Sequence, residues 1–146
     1  MDLRQLDDLV SASPMLLPED MEALARLGVA TVICNRPDAE VGPAHQAAAM
    51  QAAAEAAGLS FTYNPVSMPN LTLEAVEEQA DAVDGAGGPV VAYCASGTRS
   101  AVLWAFAMAG RTETDAILAA TASAGFPLEG LRGQIEALAA RAAAGD

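Results

Sequence analysis

Val90-Val91-Ala92-Tyr93-Cys94-Ala95-Ser96-Gly97-Thr98-Arg99-Ser100 carries more information than any other part of the chain. Four residues of short apolar strand run into a cysteine. Small residues then make a loop that closes on an arginine, and an alanine-rich helix follows from Ser100 to about Ala109. Loop N–H groups and a helix N-terminus around one sulfur make an anion cradle. The same field favours a thiolate on Cys94. Arg99 adds a planar, permanently charged fork suited to sulfate- or phosphate-shaped groups. Such a set points to a covalent intermediate on sulfur, with Cys94 as nucleophile and Arg99 as its oxyanion partner. The N–H groups of Ala95, Ser96, Gly97 and Thr98 are the expected substrate-binding surface. Gly97 is the residue expected to take a backbone angle that larger residues resist.

Outward from this segment the chain alternates strands and helices. An edge strand is expected around Leu9–Ala12, and a helix over Pro18–Leu27, with proline and acids in its first turn and Gly28 at its end. Val29–Cys34 reads as a buried β-branched strand. Asn35-Arg36-Pro37-Asp38 turns the chain into a helix over Pro43–Ala57, and Leu59–Tyr63 returns as a strand. Asn64–Asn70 holds two prolines and is a loop. Thr72 caps a helix to about Val83. After Gly110 only helical signals follow, to about Ala124 and then to about Arg141. The pattern predicts a single α/β domain, residues 1–146, with a central, mainly parallel sheet flanked by helices. The Cys94 loop falls at the carboxyl end of a strand, where open α/β sheets hold ligands.

Composition narrows the partners. The formal net charge is −12, and all seven basic residues are arginine. An acidic surface repels nucleic acid and anionic membranes, so neither is an expected partner. No apolar run approaches the roughly 20 residues of a membrane span. Met1-Asp2-Leu3-Arg4 lacks a signal-peptide layout, and a cytoplasmic protein is expected. Two cysteines without a Cys/His cluster predict no structural zinc site, and no metal or cofactor is expected. A homodimer is the default expectation for oligomeric state.

Loop length separates two chemistries. Four residues lie between Cys94 and Arg99. Rhodanese-type sulfurtransferases generally use Cys-x4-Arg, whereas cysteine-dependent phosphatases generally use Cys-x5-Arg. A shorter loop encloses a smaller cradle, suited to one sulfane sulfur rather than a whole phosphate. ICNRPD after a buried strand, the proline loop, AYCASGTRSAVLWAFA and the helical tail together resemble the phosphatase-like domain of the beta-lactamase hydrolase-like family. The resemblance spans nearly the whole chain and implies a protein tyrosine phosphatase-like fold of dual-specificity type. It implies a phosphatase or sulfurtransferase activity, and a persulfide dioxygenase partner, since some relatives are fused to one. Two departures weaken the phosphatase: Tyr93 stands where that fold places histidine, and Asn64–Thr72 has no Asp or Glu to act as general acid.

The expected function is therefore sulfur transfer through a Cys94 persulfide, from a small anionic donor such as thiosulfate to a thiol acceptor. Ser100 is expected to donate a hydrogen bond to the Cys94 sulfur. A cysteine-dependent phosphatase is the alternative, with Asp38 its best substitute acid. An oxyanion-binding or persulfide-sensing module is the third reading. Arg36 and Asp38 could border the site; a turn with a structural ion pair is the other reading, and for Asp38 it is the favoured one. Cys34 reads as a core residue, with a relay thiol as the alternative.

Overall fold

Alternate residues of the central strands serve two different cores, and this alternation builds the layers. The structure, a computed structural model, describes residues 1–69 and 71–145. In chain order the elements are β1 (Arg4–Gln5), β2 (Val10–Ser13), α1 (Met21–Arg26), β3 (Thr31–Cys34), α2 (Ala47–Ala56) and β4 (Ser60–Tyr63). They continue with α3 (Leu73–Asp84), β5 (Val90–Tyr93), α4 (Thr98–Met108), α5 (Thr114–Ser123) and α6 (Arg132–Ala144). The sheet order is β1-β2-β5-β3-β4, parallel throughout except for the antiparallel β1–β2 pair.

Val32, Cys34, Val91 and Tyr93 point to one face, where they pack with Met21, Leu24 and Met50 of α1 and α2. Ile33, Val90 and Ala92 point to the other, where Val102, Ile117 and Ile135 of α4, α5 and α6 cover them. Burial on both faces explains why these strands read as unbroken apolar runs. The α/β class, the mainly parallel sheet and the flanking helices are as the sequence predicts.

Several boundaries differ. The helices expected from Pro18 and Pro43 open instead as separate 3₁₀ turns, Pro18–Asp20 and Pro43–His45, so α1 starts at Met21 and α2, after an extended Gln46, at Ala47. β2 is not an edge strand: β1 pairs with it through Arg4↔Ala12 and Gln5↔Ser11. A two-residue strand has no periodicity to read. α4 begins at Thr98 rather than Ser100, because Gly97 already starts it with φ +93°. α6 runs past Arg141 to Ala144. No helix among the described residues is long and apolar enough to cross a membrane.

Candidate active site

The carboxyl ends of β2, β3, β4 and β5 meet around Cys94. Its backbone N–H donates to Ser13 O at 3.3 Å, and Met15 N donates to Ala95 O at 3.1 Å, so the loop is tied to the end of β2. Gly97 N then donates to Cys94 Sγ at 3.1 Å. A loop N–H thus already points at the sulfur, and Cys94 is fully buried beneath it. A Cβ on Gly97 would meet Phe126 Cζ at 3.0 Å in addition to the strained left-handed angle. Ser96 Oγ donates to Thr98 Oγ1 at 3.1 Å and braces the turn.

Arg99 closes the loop, but a carboxylate that the sequence reading missed holds its fork. Nη1 and Nη2 donate to Glu40 Oε2 and Oε1, both at 2.8 Å, and Nη1 also donates to Val66 O at 2.9 Å. The pair raises Arg99 above its ordinary value, with the nearby Cys94 sulfur adding to the effect. The same bonds hold the Glu40 carboxyl below the usual carboxylate range. Arg36 lies here too: its Nε donates to Glu40 Oε1 at 3.2 Å.

One expected contact is corrected. The Ser100 hydroxyl donates to Asn35 Oδ1 at 2.9 Å instead of to Cys94. Asp38 has the structural part favoured for it: its Oδ1 accepts from Ala47 N, the first residue of α2, at 2.7 Å. Asp38 and Glu40 share one 3₁₀ turn, Asp38–Glu40. At three residues per turn, positions two apart point in different directions, which sends Glu40 toward α4 and Asp38 toward α2.

Below the loop lies a buried neutral network. Asn35 Nδ2 donates to Gln79 Oε1 at 2.8 Å and to Asn64 O at 2.9 Å. Gln79 Nε2 donates back to Asn35 Oδ1 at 3.2 Å, and Asn64 Nδ2 reaches Ala75 O and Gln79 Oε1 at 2.9 Å each. These amides join α3, β3, β4 and α4 directly under Ser100. The signal was present: β3 and β4, which pair Cys34 with Tyr63, are each followed by asparagine.

Cys34 shares the α1/α2 face with Tyr93, and strand alternation directs Cys94 to the other face. Burial pushes the Cys34 thiol up, and its Sγ donates to Arg36 O at 3.3 Å. The Tyr93 hydroxyl is buried beside it without a hydrogen-bond partner of good geometry. Burial raises that hydroxyl far above its ordinary value, so it stays protonated. Among the described residues no group of three or more His, Cys, Asp or Glu converges as a metal site.

A mainly parallel sheet, a strand-end cysteine under a short loop, and an arginine opening the next helix define a protein tyrosine phosphatase-like domain. The solved structure of a Neisseria meningitidis protein, provisionally described as a phosphatase, matches with a TM-score of 0.82 at 34% identity, covering 94% of this chain and 99% of that one. P. aeruginosa TpbA, solved in complex with pTyr, matches with a TM-score of 0.67 at 16% identity, covering 97% and 90%, a likeness of fold alone. The family model of the beta-lactamase hydrolase-like protein, phosphatase-like domain, matches residues 2–111, and the chain belongs to that family. A beta-lactamase hydrolase-like protein of Xylella fastidiosa is 34% identical over 106 residues, 71% of this chain and 25% of that one. The chain therefore spans about a quarter of the length of the curated relatives it matches.

Proposed function

We propose that the chain is a cysteine-dependent phosphomonoester hydrolase acting through a phosphocysteine on Cys94. The observation that carries this reading is the Glu40 carboxyl, held on both Nη atoms of Arg99 at 2.8 Å. It places a carboxyl beside the cradle where the Asn64–Thr72 loop has none, and the family and its phosphatase-like relatives support the same chemistry.

A phosphate dianion seated on the N–H groups of Ala95–Arg99 takes the Arg99 fork and releases Glu40. Freed from the Arg99 fork and placed beside a dianion, the Glu40 carboxyl, left with only the longer Arg36 contact, gains a proton. The Cys94 thiolate attacks phosphorus; the P–S bond forms, the P–O bond breaks, and the leaving oxygen takes the Glu40 proton. Ionised Glu40 then accepts a proton from water as that water attacks phosphorus, and the P–S bond breaks to restore the thiolate. Ser100 and Asn35 position the loop rather than react. Glu40→Gln is expected to slow aryl phosphate hydrolysis by about 10²-fold, the scale of general acid–base assistance. Undiminished hydrolysis by Cys94→Ser ends this reading.

A second reading, sulfur transfer, is favoured by the four-residue spacing of Cys94 and Arg99. Cys94 thiolate attacks the outer sulfur of a thiosulfate-like donor, the S–S bond breaks, and sulfite leaves past Arg99. A thiolate acceptor then takes the outer sulfur from the Cys94 persulfide, and a persulfide dioxygenase partner consumes the product. Thiocyanate formation from thiosulfate and cyanide, with one extra sulfur on Cys94 by mass spectrometry, separates this reading from the first. Oxyanion binding without either turnover leaves only a binding module.

A further inference from the structure

Two of the seven arginines converge on a single carboxylate oxygen. Arg99 Nη2 and Arg36 Nε both donate to Glu40 Oε1, at 2.8 and 3.2 Å. Arg99 already satisfies the carboxylate with a bidentate fork, the strongest geometry available to it. A second guanidinium adds little to such a pair. Arg36 is nonetheless held here, with its Nη1 against Met15 Sδ at 2.9 Å, a weak acceptor. The Arg36 and Arg99 side chains are 19% and 13% exposed, whereas Glu40 on their outer side is 35% exposed. The cations form the floor, and the carboxylate is the removable part. In a chain of net charge −12, two partly buried cations beside a nucleophile exceed what one glutamate requires.

We propose that Glu40 occupies an anion subsite between Arg36 and Arg99, and that the substrate is a small molecule with two neighbouring anionic groups. This rests on the oxyanion-binding part of the proposed function. The reacting group sits over Cys94 on Arg99. The second group, a carboxylate or a further phosphate, replaces Glu40 on Arg36. Glu40 acts as an internal competitor: the reacting group releases it from Arg99, and the second anionic group releases it from Arg36.

The test is calorimetric titration of the full chain with inorganic phosphate and with methylenediphosphonate, whose P–C–P bridge resists hydrolysis. Methylenediphosphonate is expected to bind at least ~10-fold more tightly than phosphate, a difference of about 1.4 kcal/mol. Arg36→Gln is expected to bring that ratio close to one while leaving phosphate affinity within about 3-fold, since only one exposed-side contact is removed. Arg36→Lys keeps the charge without the fork and is expected to fall between the two, which protects the test if the glutamine variant fails to fold. Glu40→Gln is expected to tighten both ligands. A wild-type ratio near one, or a ratio unchanged in both Arg36 variants, overturns the proposal. A selective loss of methylenediphosphonate binding alongside no hydrolysis of aryl phosphate upholds the subsite and overturns the hydrolase reading alone. Hydrolysis with no selective loss does the reverse.

Discussion

Asn35 and Arg36 are neighbours in sequence and belong to opposite kinds of environment. Asn35 is fully buried in a neutral network in which its amide bonds Gln79, Asn64 and Ser100. Arg36 lies in a charged, half-open rim with Glu40 and Arg99. The buried network is a fixed floor: removing a member strands polar groups where water cannot replace them. The rim is exchangeable, because its carboxylate borders solvent and its partners can change. A site that binds a substrate anion needs both, one to hold the loop and one to give way.

The largest test of this contrast removes the group that both regions serve. Cys94→Ser is expected to reduce both aryl phosphate hydrolysis and thiosulfate–cyanide transfer to background, read by phosphate and thiocyanate release. Next is the floor. Asn35→Ala leaves the Gln79 Nε2 amide and the Ser100 hydroxyl without an acceptor, at a cost of about 2–4 kcal/mol in urea denaturation. A cost below ~1 kcal/mol would make the network as dispensable as the rim and remove the contrast. Gly97→Ala stands between them. The left-handed φ and the approach to Phe126 are expected to cost about 1–3 kcal/mol, with loss of oxyanion binding.

The smallest effect belongs to the rim. Arg99 depresses the Glu40 carboxyl, so the folded pKa lies below the unfolded one. The pair's stabilisation is therefore fully present above the ordinary carboxylate range and is lost as pH falls through the depressed value. Glu40→Gln is expected to match the wild-type melting temperature at low pH and to fall only slightly below it at neutral pH. A large gap at neutral pH would mark Glu40 as part of the fixed floor.

Much of the site was legible. The strand Val90–Tyr93, the buried Cys94, the glycine angle at Gly97 and the helix behind Arg99 follow from local rules of burial, turn geometry and helix initiation. Glu40 was not legible, because a carboxylate two residues from Asp38 has no local mark. Which of the two reaches Arg99 depends on the rotation of a 3₁₀ turn and on where α2 and α4 begin beside it. Ser100 illustrates the same limit. Local spacing points its hydroxyl to the nearest sulfur in sequence, yet Asn35, 65 residues away, accepts its bond.

By itself the sequence determined the α/β class, the position of the Cys94 loop at a strand end, and the cysteine–arginine pair around which any chemistry must form. These depend on residues within a few positions of one another, where backbone sterics and apolar periodicity act directly. Only the tertiary structure decided that the arginine meets a carboxylate, that a second arginine joins it, and that an amide network supports the loop. Those contacts join side chains from separate strand ends, and they exist only because a parallel sheet brings its carboxyl ends together on one edge.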